Sequence, residues 1–156
     1  MKLTTKGRYA VTAMLELARS NSDKPVAIAS IADQQGLSHA YLEQLFSRLR
    51  KASLIQSVRG VQGGYQLALA ASEIKIDSIL LAVEENIDTT LCQGKANCQD
   101  GKVCSTHDLW ESLSQHIQHF LASVSLQDLV ERNSLPAIEI IDTSALSRPD
   151  VRLSGS

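Results

Sequence analysis

The sequence predicts a mainly α-helical fold with one small β-hairpin: a winged helix-turn-helix unit followed by a long helix. Three observations predict it. Apolar residues recur at helical spacing through the first fifty residues, with Gly36 dividing two of the helical segments. Two short strand-like runs flank Gly60-Val61-Gln62-Gly63-Gly64 directly after the second of those segments, which is where a wing belongs. A further striped segment, from about Thr106 to Ala122, lies outside that unit.

Each element has its own warrant. Thr4 or Thr5 caps a first helix from about Thr5 to Arg19, whose stripe is Ala10, Val11, Met14, Leu15 and Ala18. Asn21 to Pro25 is a turn. A short second helix lies near Ser30 to Gln35, and Gly36 ends it. Ser38 caps a third helix, His39 to about Ala52, which buries Leu42, Leu45, Phe46 and Leu49. Leu54 to Arg59 and Tyr65 to Leu69 are the strands of the hairpin. Asp77 to Glu85 is a fourth helix, with Ile79, Leu80 and Val83 inward. Ser105 is expected to cap the long helix, with Asp108 completing a capping box. Its apolar stripe is Leu109, Leu113, Ile117, Phe120 and Leu121. Ser125 caps a last helix carrying Leu126, Leu129 and Val130. The division is therefore 1–70 for the winged unit, 71–132 for a loop and the later helices, and 133–156 for a tail expected to be disordered.

Composition narrows the function classes. The 156 residues are 44% hydrophobic and 21% charged, as in ordinary globular domains. No apolar run approaches the roughly 20 residues that cross a bilayer, and the start lacks the apolar core of a signal peptide. A cytoplasmic location and reduced thiols are the expectation. Residues 1–66 hold nine Lys and Arg against four Asp and Glu, a net of +5, whereas the remainder holds six against thirteen, a net of −7. An anionic partner for the N-terminal half fits that asymmetry. There is no Ser-His-Asp order, paired catalytic carboxylates or zinc-protease motif, so no enzyme is expected.

The third helix has what reading DNA requires: polar side chains that reach base edges, bordered by cations for phosphates. Ser38, His39, Tyr41, Glu43, Gln44, Ser47, Arg48 and Lys51 are the candidates. Ser38 at the helix start also offers backbone N–H groups to a phosphate. Gln44 suits adenine, and Glu43 suits a cytosine amino group, which makes Glu43 a candidate discriminator between sequences. Arg59 at the wing suits a narrow minor groove. The competing interpretation is an ordinary amphipathic helix and a solvated turn. Gly60, Gly63 and Gly64 are no nucleotide loop, because they lie between strands and no Gly-Lys-Ser/Thr follows.

The only cysteines are Cys92, Cys98 and Cys104, and with His107 they form C-x5-C-x5-C-x2-H in a polar stretch. Thiols gathered in a polar loop are there for chemistry rather than packing. Structural zinc favours C-x2-C knuckles or His pairs, whereas wider spacing suits an iron–sulfur cluster held by thiolates, with His107 the nearest candidate for a fourth ligand. A zinc site on the same four residues, a thiol redox switch and unrelated thiols stay open on spacing alone. His116 and His119 read as surface or dimer-contact residues.

The chain resembles the IscR family of bacterial iron–sulfur cluster regulators over roughly residues 1–132. The resemblance rests on Leu3-Thr4-Thr5-Lys6-Gly7-Arg8-Tyr9-Ala10-Val11, Tyr41-Leu42-Glu43-Gln44-Leu45-Phe46-Ser47-Arg48-Leu49-Arg50, Val58-Arg59-Gly60 with Gly63-Gly64-Tyr65, and Cys92-Gln93-Gly94 onward to His107. It implies a homodimeric transcription factor, joined through the long helix, that binds double-stranded DNA operators. It also implies one 2Fe–2S cluster per subunit on Cys92, Cys98, Cys104 and His107, delivered by cluster-assembly proteins. With cluster the family represses genes of cluster assembly; without it, a second class of sites is implied. Three thiolates and an imidazole leave a cluster site one unit less negative than four thiolates, which suits a labile sensor. Two departures stand out: Val61 replaces the proline the family usually carries after the first wing glycine, and the tail beyond Asn133 matches little. The alternatives are a zinc-stabilised winged-helix regulator, a nitric oxide or redox sensor on the same fold, and a metal carrier.

Overall fold

The protein's structure is a computed structural model that describes residues 4–20, 24–85, 87–88, 90, 95–97 and 99–131. Its elements run α1 (Thr5–Arg19), α2 (Ile28–Gln35), α3 (His39–Lys51), β1 (Ile55–Val58), β2 (Gly64–Leu67), α4 (Ile76–Ala82), α5 (His107–Ser123) and α6 (Leu126–Val130). The winged helix-turn-helix architecture is as expected. The expected tail lies outside the described residues.

The reading unit is held by a core of side chains withdrawn from solvent: Ala10, Met14, Ile31, Leu42, Phe46 and Leu49 are all fully buried. They lie on one face each of α1, α2 and α3, where helical spacing puts them. Gly36 ends α2 in the left-handed conformation, with φ 64°, which glycine adopts without steric cost. Ser38 then caps α3, its hydroxyl accepting from the Tyr41 N–H at 3.1 Å. α2 starts two residues before the expected Ser30. The cause is tertiary. Val26 exchanges two 2.8 Å backbone hydrogen bonds with Tyr65, which fixes the chain on the hairpin just ahead of the helix.

β1 and β2 pair antiparallel in the register Ile55↔Leu67 to Val58↔Gly64. Both strands are a little shorter than expected. Gly64 is required by proximity, because a Cβ there would lie 2.3 Å from the Val26 carbonyl oxygen. The Phe46 ring packs edge-on against Tyr65 with centroids 4.9 Å apart, joining α3 to the wing.

α4 packs on α1, α3 and α5, and α6 returns to α1. Residues beside α6 are stitched to the chain ahead of α4: Ile76 N–H donates to Val124 C=O at 3.0 Å and Leu126 N–H to Ile74 C=O at 2.9 Å. Ser125 and Asp128 form the reciprocal capping box of α6.

Two further expectations fail. α4 ends at Ala82, not Glu85, because Glu84 turns into the left-handed region with φ 58°. The cap expected at Ser105 is not made: Thr106 holds that position, with no side-chain cap, and the box with Asp108 does not form. The His107 N–H instead donates to the Cys104 carbonyl at 3.1 Å.

Candidate nucleic-acid interface and metal centre

The exposed face of α3 gathers the residues expected to read DNA. Ala40, Glu43, Gln44, Ser47, Arg48 and Lys51 line one shallow concave surface. Their spacing along the helix puts them on one side, opposite the buried Leu42, Leu45 and Leu49. Ser38 and His39 stand exposed at the start of the helix. His39 Nδ1 lies 3.4 Å from Glu43 Oε1, so the one carboxylate on this face sits beside a ring that can carry a positive charge. Tyr41 differs from the others: it is half-buried, and its ring meets Tyr9 of α1 edge-on at 6.2 Å. Arg59 is exposed next to Gly60, and Val61 beyond it is fully open to solvent.

Arg48 is engaged outside its own helix. Its Nη1 donates to Glu84 Oε2 at 2.9 Å and to the Val83 carbonyl at 3.3 Å. The next residue, Glu85, is a buried carboxylate at 5% exposure. It accepts from the Thr4 N–H at 2.8 Å, and the Thr4 hydroxyl also donates to it. The Thr4 side chain itself makes no capping bond to α1. Glu85 therefore serves as an anionic cap supplied from a distant part of the chain, placed where the helix dipole favours negative charge. Burial pushes its carboxyl up, but the Thr4 hydroxyl and N–H, the Lys6 charge and the Gly7 N–H outweigh that and hold it below the usual carboxylate value. Gly7 is packed against this junction, since a Cβ there would lie 2.9 Å from Leu80 Cδ2.

The junction is not legible in the sequence because its contacts span 35 to 81 residues. One signal was present. Two acids at a helix C-terminus oppose the dipole, so Glu84 and Glu85 call for a reason.

Of the expected metal ligands, Cys92 and Cys98 lie outside the described residues. Cys104 and His107 are brought together in one turn at the head of α5. The Cys104 thiol is half-exposed and lies 3.8 Å from the Thr106 hydroxyl. His107 is 5% exposed, unusual for a helix start, and its Nε2 lies 3.6 Å from Glu111 Oε2. Asp88 approaches from the loop and accepts from the Ser114 hydroxyl at 3.3 Å. The Thr90 hydroxyl and N–H hold the Asp88 carboxyl below its usual value against desolvation, with smaller help from Ser114 and His107. A thiol and a buried imidazole, three residues apart, fit a soft-metal or cluster site. No group of three potential ligands converges among the described residues.

Except for His107 and Ser114, α5 has no residue withdrawn from solvent. Leu109, Trp110 and Leu113 are 61%, 42% and 41% exposed. Trp110 is tied by its ring N–H to the Thr106 hydroxyl at 3.2 Å. His116 and His119 are exposed as expected. No described helix is long and apolar enough to cross a membrane.

Comparison with known proteins agrees with this geometry. Curated relatives include the HTH-type transcriptional regulator IscR of Photobacterium profundum, 49% identical over 154 residues that cover 99% of this chain and 90% of that protein. IscR of Vibrio atlanticus is 51% identical over 142 residues, covering 91% and 81%. Among solved structures, T. potens IscR superposes with a TM-score of 0.70 at 39% identity, covering 86% of this chain and 89% of that one. CymR, the global cysteine regulator of B. subtilis, gives 0.74 at 34% identity, covering 86% and 99%. These relatives are regulators rather than enzymes. The family profile described as an iron-dependent transcriptional regulator matches residues 3–132. The chain therefore belongs to the Rrf2 family of winged helix-turn-helix, DNA-binding transcriptional regulators.

Proposed function

We propose that the protein senses iron–sulfur cluster status in the cytoplasm as a homodimer. It represses cluster-assembly genes when a 2Fe–2S cluster is bound and regulates a second class of operators when it is not. The observation that carries this reading is the placing of Cys104, in the turn just ahead of α5, next to a buried His107 at the first position of that helix. Cys92, Cys98, Cys104 and His107 would hold the cluster, with cluster-assembly proteins as donors. When bound, such a group supplies an iron centre that oxidation or iron shortage removes, so its presence is the signal.

The chain's own residues do the rest. Ser38 offers N–H groups at the start of α3 to a phosphate. Arg48 and Lys51 hold phosphates, Gln44 reads adenine and Ser47 stands beside it on the same face. His39 and Tyr41 border that face, and Tyr41 contributes its hydroxyl from a ring fixed by Tyr9. Glu43 demands a donor such as the cytosine amino group, and His39 beside it eases its approach to phosphates. Arg59 enters the minor groove. Homodimer formation through α5 is supported by the exposed Leu109, Trp110 and Leu113 on a helix of 17 residues. Ordering of the loop before Cys104 would act on the head of that helix and, through Asp88 and Ser114, on its middle.

The test compares the operator preferences of protein with and without cluster. Cys92→Ala is expected to leave a folded dimer that has lost the cluster and shifted its operator preference. Equal affinity of both forms for every operator would falsify the sensing role. Zinc in the same site remains the second reading, favoured if the Cys92→Ala protein melts far below the wild-type protein.

A further inference from the structure

We propose that Glu84 is a positioning residue for DNA binding: it holds one edge of the Arg48 guanidinium so that the other edge meets a phosphate. The inference rests on the reading of Arg48 as a phosphate contact on α3.

Both hydrogen bonds of Arg48 start at one atom. Nη1 lies 2.9 Å from Glu84 Oε2 and 3.3 Å from the Val83 carbonyl. The guanidinium is a rigid planar fork with five donors. Nη2 and Nε are left uncommitted among the described residues. Arg48 also lines the concave face shared by Gln44, Ser47 and Lys51. The fork is thus fixed from the turn just past α4 and available on the side of the reading surface.

The backbone adds an independent argument. Glu84 has φ 58° just past the end of α4. Glycine is the unstrained residue there, and an acid at that helix end opposes the dipole. Both local preferences are set aside. The Glu84 carbonyl accepts from Lys6 Nζ at 3.2 Å, but any residue supplies a carbonyl. What glutamate alone adds is the carboxylate on Arg48. The two side chains are 42% and 77% exposed, so the ion pair contributes little to folding. Its effect is to restrict a long side chain at a binding surface before the partner arrives, which lowers the entropy lost on association.

The test measures the affinity of the full-length protein for a fluorescent duplex selected by the wild-type protein from a random-sequence pool. Proteins compared are wild type, Glu84→Gly, Glu84→Gln, Arg48→Ala and the Arg48→Ala/Glu84→Gly double variant, with melting temperatures recorded. Removing an acid near a DNA site ordinarily tightens binding. The inference requires the opposite: Glu84→Gly weakens binding about five- to tenfold without lowering the melting temperature, because glycine suits the backbone. Glu84→Gln, which keeps an acceptor oxygen, recovers most of the loss. In the Arg48→Ala background Glu84→Gly changes nothing further. Tighter or unchanged binding by Glu84→Gly, beside a weakened Arg48→Ala, overturns the inference and leaves Arg48 as a DNA contact. An equal loss in both backgrounds also overturns it, as a general effect on the fold. If Arg48→Ala binds like wild type, the reading of Arg48 fails and the inference with it.

Discussion

On α3 the apolar positions Leu42, Leu45, Phe46 and Leu49 are withdrawn from solvent, at 0–2% exposure. On α5 the apolar positions Leu109, Trp110 and Leu113 stand 41–61% exposed, and the residues withdrawn from solvent are His107 and Ser114. The two helices are similarly striped in sequence, so the stripe alone does not say what covers it. The stripe of α3 is covered by α2, α4 and the hairpin of the same chain. That of α5 is split: Leu109 and Leu113 are exposed, Phe120 and Leu121 pack partly buried against the core, and the buried residues are the polar His107 and Ser114, near Cys104 and Asp88. One region is complete within a single chain. The other leaves Leu109, Trp110 and Leu113 largely exposed, as the proposed dimer contact requires.

The contrast can be broken most forcefully in the reading unit. Phe46→Ala removes a fully buried ring that packs on Tyr65 and is expected to cost about 3–5 kcal/mol. Denaturant unfolding of the variant checks it, and a loss no greater than that of an α5 surface variant would erase the distinction. Next comes the junction. Glu85→Gln replaces a buried anion that accepts from Thr4 and is expected to cost about 1.5–3 kcal/mol. Because the Glu85 carboxyl titrates below its ordinary value in the folded protein, its contribution is complete above that value. It is lost as pH falls through the folded value, where both states are protonated. Melting temperature against pH is expected to fall less steeply on the acid side in Glu85→Gln than in wild type. Parallel acid limbs would remove Glu85 from the account.

Arg59→Ala is expected to weaken DNA binding by about 1–3 kcal/mol while leaving stability unchanged. An unaltered affinity makes it a bystander of the wing. The last variant lies in α5. Leu113→Ala is expected to change the stability of the single chain by no more than about 0.5 kcal/mol but to weaken self-association, read by sedimentation equilibrium. A large fall in chain stability with unchanged association would place the helix inside the fold after all.

The sequence was most legible where structure is decided locally. The Ser38 cap of α3, the Gly36 stop and the Ser125 cap all follow from neighbours within four residues. It was least legible where contacts close long loops. The early end of α4 depends on Glu84 and Glu85, whose partners Arg48 and Thr4 lie 36 and 81 residues away. The start of α5 depends on the Cys104 carbonyl rather than on the hydroxyl of Ser105. In the candidate site, the α3 face was readable because base and phosphate contacts demand particular side chains at helical spacing. That Tyr41 is half-covered by Tyr9 and that Arg48 is anchored from the turn just past α4 were not, since both depend on how helices pack. Cysteine spacing suggested which residues to consider as ligands, and the burial of His107 could not be read from it.

The central claim is that the four residues hold a 2Fe–2S cluster. The most direct measurement is the visible absorption spectrum of protein purified without oxygen, with iron, sulfide and zinc assayed on the same sample. The account predicts red-brown protein with iron and sulfide in equal amounts. Colourless protein that retains tightly bound zinc in place of iron would contradict it.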